Sequence, residues 1–155
     1  MKLISFSLTL GLSVSLLSAQ SSDLASLHSS LTTACKSIRG HAGRIVAEAS
    51  ETELNKDVAQ AHLREVAHYQ EEMEENLKSA QPLLTATQRK ATDAEHKALE
   101  KVCETVKDLI RKLEKEFAAA KPERRAIREL ATKMRNEMTY GKEVHDQLKK
   151  KLGIQ

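Results

Sequence analysis

Apolar residues recur at alternating steps of three and four along most of the chain, the spacing of one face of an α-helix. Between residues 20 and 49 the stripe is Leu24, Leu27, Leu31, Ala34, Ile38, Ala42, Ile45 and Ala49. Gly40 and Gly43 fall on the opposite side, so the pattern predicts one continuous helix over 22–49, weakened there by about 1 kcal/mol per glycine. A break at Gly40 is the competing reading. Ser50-x-x-Glu53 has the form of a capping box, with Ala49 and Leu54 as its staple, and predicts a second helix over 51–80. Its stripe reads Leu54, Val58, Ala61, Val66, Tyr69, Met73 and Leu77, and Gln81-Pro82 ends it.

Thr85-x-x-Gln88 and Thr92-x-x-Glu95 both offer a start for a third helix, about 86–120. Its stripe is Leu99, Val102, Val106, Leu109, Leu113 and Phe117. Lys121-Pro122 stops it, and Pro122 suits the first position of a fourth helix, about 122–152. The fourth stripe is Ile127, Leu130, Met134, Met138, Val144, Leu148 and Leu152, with Gly141 inside it as a point of kinking or close helix approach. Lys149, Lys150 and Lys151 complement the dipole at its carboxyl end, and Gly153 stops it. Four helices of this length, each about 45 Å, joined by short turns, predict an all-α antiparallel four-helix bundle. Long hairpins that close an apolar face by dimerising are the alternative. No strand pattern is present.

Residues 1–19 change the setting. Lys2 is the only charge before Asp23; an apolar run follows it, and Ser18-Ala19 closes the run with small residues. That layout is a secretory signal peptide, with cleavage expected after Ala19 and Ser21 as the next choice. The run is too short and too Ser-interrupted for a good membrane span. The single-lysine start has a bacterial look, so the mature chain, 20–155, is expected as one exported domain, periplasmic or secreted. Without Lys2 the formal charge falls from +3 to +2. A near-neutral chain that keeps only Tyr69, Phe117 and Tyr140 as aromatics has no stacking platform for nucleic acid.

Export changes how the cysteines read. Cys35 and Cys103 are an even pair in an oxidising compartment, which favours one disulfide over two buried thiols. A bridge needs alpha carbons within about 7 Å, and therefore requires the first and third helices to be neighbours. An intermolecular bridge is the competitor.

For metal, Glu65-x-x-His68 and Asp93-x-x-His96 resemble in spacing the Glu-x-x-His ligands of di-iron bundles. Folding the chain about Pro82 sets His68 and His96 at one height. The candidate ligands are His62, Glu65, His68 and His96, for zinc or copper, with Glu72 and Glu75 nearby. Solvated or half-buried histidines are the plain alternative, and His62 and His145 fall on apolar faces. Residues 51–80 carry eight acids and three bases, and 121–155 ten bases and five acids. The basic last helix is a weak candidate for contact with anionic lipid. No Gly-rich phosphate loop, nucleophile–base spacing or haem-attachment motif is present, so no enzyme is expected.

Leu84-Thr85-Ala86-Thr87-Gln88 resembles the LTxxQ motif of the periplasmic CpxP/Spy-like helical family. Lys121-Pro122-Glu123-Arg124-Arg125 is similar to that family's TPEQR variant, with Thr and Gln replaced. The resemblance implies an exported all-helical protein, an antiparallel dimer, and chaperone or stress-regulator activity, with zinc in some relatives. Leu84, Thr85 and Gln88 carry it. The expected function is therefore non-catalytic protein–protein binding, as scaffold, adaptor or chaperone, with metal binding as the alternative. A chaperone would expose apolar residues near Leu83, Leu84 and the fourth helix.

Overall fold

The structure is a computed structural model and describes residues 9–154. Its helices are α1 (Thr9–Glu48), α2 (Lys56–Ala80), α3 (Ala86–Ala118) and α4 (Arg124–Leu152), with a 3-10 turn over Gln81–Leu83. There is no strand among the described residues. α1 packs on α2 and α4, and α3 packs on the same two helices, so α1 and α3 are diagonal across a closed ring. Short connections reverse the chain each time. This is the antiparallel four-helix bundle that the periodicity predicts.

α1 begins earlier than 22, at Thr9, and runs unbroken through Gly40 and Gly43. Of the expected leader, residues 1–8 lie outside the described residues, and from Thr9 the backbone continues the same helix. No helix among the described residues is long and apolar enough to cross a membrane.

The start of α2 corrects the sequence reading. Ser50 does not cap it: the Ser50 hydroxyl donates back to the Val46 carbonyl at 2.7 Å. Asn55 is the N-cap, its side chain accepting from the Val58 N–H at 3.2 Å. Residues 49–55 are needed to cross between helices, and Arg124 pins that crossing by donating to the Glu51 and Thr52 carbonyls. The inward side of α2 also differs from the expected stripe. Ala59, Leu63, Val66, Met73 and Leu77 are buried, whereas Val58 is 37% exposed.

Thr85 starts α3 by a reciprocal capping box. Its hydroxyl accepts from the Gln88 N–H at 3.2 Å, and its own N–H donates to the Gln88 side chain at 2.9 Å. Thr92, the other candidate start, lies inside the helix. Pro122 is not the first residue of α4; Glu123 is the N-cap, and Pro122 precedes it.

The α3 stripe is buried as expected, and so are Ile127, Met134, Met138, Val144 and Leu148 of α4. Gly141 marks a close approach of α3 and α4: a Cβ there would stand 3.1 Å from Cγ1 of Val102. A smaller apolar cluster, Leu24, Ala80 and Leu84, caps the end where α2 turns into α3, with Leu27, Leu83, Leu152 and Ile154 against it.

The expected disulfide is not made. Cys35 and Cys103 are free, buried thiols, because their helices are diagonal rather than adjacent. Cys35 instead faces Met73 of α2, sulfur to sulfur at 4.0 Å. Burial pushes the Cys35 thiol up to about 11 and the Cys103 thiol up to about 12. Neither is a nucleophile at neutral pH.

Candidate functional site

Three helices carry a histidine at the same place in their heptads. His28 follows Leu24 by four and precedes Leu31 by three; His96 stands so between Thr92 and Leu99, and His145 between Gly141 and Leu148. Every one of those flanking residues is buried, and so are the histidines. The result is a polar layer between the end cluster around Leu24 and the main core that starts at Leu31.

Within the layer, Nδ1 of His28 and Nε2 of His145 are 2.9 Å apart, and the rings stack at 5.2 Å with an interplanar angle of 16°. One of these nitrogens must donate and the other accept, so the contact requires at least one ring neutral on that side. Nε2 of His28, Nε2 of His96 and Oε2 of Glu95 are buried without a hydrogen-bond partner among the described residues. Burial without compensation penalises the charged ring. His28 is lowered to about 4 by burial and then by His145, His96 and Lys149. His145 is lowered to about 4 by burial and then Lys149, with Asp146 opposing. His96 is also lowered, chiefly by burial, against the pull of Glu100, Glu95 and Asp93. Lys151 closes the edge of the layer, donating to Glu95 at 2.7 Å and to the Ala91 carbonyl at 3.1 Å. That bond holds the Glu95 carboxyl below its ordinary range.

A second pair joins α1 to α2. His41 and His62 are half-buried and approach Nδ1 to Nδ1 at 3.1 Å, with Tyr69 stacked at 6.1 Å on His41. Burial, then His41 and Arg44, lower the pKa of His62, while Glu48 and Glu65 oppose them.

The four expected metal ligands are not brought together. His62 turns to His41, and His96 belongs to the buried layer. His68 is exposed, with Nε2 3.4 Å from Glu72, and Glu65 is exposed on α2. The reason is the phase of α2: its core face is Leu63, Val66, Met73 and Leu77, which leaves Glu65 and His68 outward. Among the described residues no group of three or more His, Cys, Asp and Glu is arranged to hold a metal. Sequence reasoning did not single out His28 and His41. His28 was detectable, because 24, 28 and 31 keep the apolar register; His41 was not, because only the pairing of α1 with α2 gives it a partner.

Leu84 is buried, and Thr85 and Gln88 form the α3 cap. Val58 and Tyr140, the latter on α4, are the large apolar side chains that stand exposed among the described residues; Leu83 is half-buried and Leu84 buried. No model of a known protein family, no curated protein and no solved structure matches this chain.

Proposed function

We propose that this is an exported, non-catalytic helical protein that acts by binding other proteins, sealed at neutral pH and opened from its histidine end by acid. The buried layer of His28, His96 and His145 carries the reading. It interrupts the apolar stripes at one end of the bundle, where three elements meet that would have to separate to uncover those stripes. In the closed form the stripes of α1 and α4 face each other, and among the described residues Val58 and Tyr140 are the large apolar side chains left exposed to a client. Protonating the layer places like charges about one ring apart in a buried site, which is costly until water enters. The charges that reach these rings come from α3 (Asp93, Glu95, Glu100) and from α4 (Lys142, Asp146, Lys149), and they do not neutralise His28 from its own helix. Opening would expose the amphipathic faces of long helices, a surface suited to an unfolded chain. The leader-like residues 1–19 and the LTxxQ-like stretch Leu84–Gln88 support the exported, chaperone-type version.

The test is aggregation of an unfolded client with the mature chain in excess, at pH 7 and pH 4.5. Suppression at the lower pH alone, abolished by the double substitution His28→Leu and His145→Leu, is the expected result. No suppression at either pH rejects the chaperone version. Fractionation of the expressing cell checks export: a chain beginning at Gln20 or Ser22 outside the cytoplasm is expected, and a cytoplasmic chain that retains Met1 rejects it.

A further inference from the structure

The pair His41 and His62 lies outside the buried layer and is not needed by the reading above. Two nitrogens bound to one metal at about 2.0–2.1 Å, at angles between square and tetrahedral, stand about 2.9–3.4 Å from each other. The two Nδ1 atoms are 3.1 Å apart. The rings come from neighbouring helices that pack along their length, so the spacing is fixed by the fold rather than by a mobile loop. Both side chains are half-buried, which leaves the outer side of the pair open to solvent. We propose that His41 and His62 form a two-imidazole site for a divalent transition metal, Cu2+ before Zn2+, clamping α1 to α2.

Imidazole donors suit both ions, and the general affinity order places Cu2+ above Zn2+. With the pair unmetallated, one ring donates its Nδ1 proton to the other. On binding, that ring carries its proton on Nε2 instead, both Nδ1 lone pairs face the metal, and no proton is lost overall. Water completes the coordination. Glu48 and Glu65 are close enough to act electrostatically on His62, and they offset the charge of the ion. His68, six residues further along α2 and turned outward, takes no part.

The experiment is titration of the mature chain with Cu2+ as the probe, followed by native mass spectrometry and electron paramagnetic resonance. One Cu2+ per chain, with couplings from the remote nitrogens of two imidazoles, is expected. His41→Gln and His62→Gln each abolish that signature, while His68→Ala leaves it intact. Absence of stoichiometric Cu2+, coupling from one imidazole only, or a signature that survives both Gln variants would overturn the proposal. The nitrogen count in the unsubstituted protein decides the matter even if a variant fails to fold. Because the client assay requires no metal, failure of this site and failure of the protein-binding reading are read separately.

Discussion

His28 on α1 and His145 on α4 are 117 residues apart in sequence, yet their ring nitrogens meet at 2.9 Å in a fully buried stack. The contact is made by two neutral rings. Each is a base that the folded state holds at about 4 against 6.5 when exposed.

That difference fixes a pH dependence. Between about 4 and 6.5 the unfolded chain binds more protons than the folded one, so stability rises with pH across that window. It is complete above 6.5 and is lost as pH falls toward 4. Going from pH 7 to 4.5 should remove on the order of 2–5 kcal/mol for the pair. Urea denaturation at the two pH values measures it. The double variant His28→Leu, His145→Leu should show a much flatter dependence; equal slopes for the two proteins would reject the layer as the source.

Thiol chemistry should be silent in the folded protein. Cys35 and Cys103 are each 3% exposed, and burial raises both pKa values. A thiol-labelling reagent at pH 8 should leave both unmodified, and denaturant should release both. A folded oxidised monomer lighter by two hydrogens would contradict the diagonal placement of α1 and α3.

Two glycines on helices should respond differently to the same substitution. Gly40 has no atom within 4 Å of a built Cβ, so Gly40→Ala should stabilise by about 0.5–1 kcal/mol through helix propensity. At Gly141 the new methyl meets Val102 at 3.1 Å, and the gain should be cancelled by overpacking. Gly141→Val, larger still, should destabilise by about 1–3 kcal/mol. Thermal melts of the three variants distinguish these outcomes, and a stabilised Gly141→Val would show that α3 and α4 are not in close contact.

Capping separates two residues that look alike in sequence. Asn55→Ala should lose about 1 kcal/mol, because Val58 N–H then has no side-chain acceptor. Ser50→Ala should change stability by a few tenths at most, since its hydroxyl bonds only to Val46 within α1. Equal losses from the two substitutions would restore the Ser50 start of α2.

By itself the sequence determined the class, the number of helices and most of the core. These depend on local physics: a period of 3.6 residues, the Thr85–Gln88 box, the prolines after Gln81 and Lys121, and stripes such as Leu99 to Phe117 that have one way to face inward. It also marked Gly141 as a point of kinking or close helix approach, and the structure makes it the latter, beside Val102. The tertiary structure decided everything that depends on which helix stands beside which. Cys35 and Cys103 share a level but not an edge, because the ring runs in chain order and puts α1 across from α3. Asn55 rather than Ser50 starts α2, since the crossing over α1 needs residues 49–55, and the face of α2 that packs inward leaves Glu65 and His68 in solvent. The three-histidine layer and the His41–His62 pair follow from the same cause. Helical spacing says which residues face inward, but only packing says which of them meet.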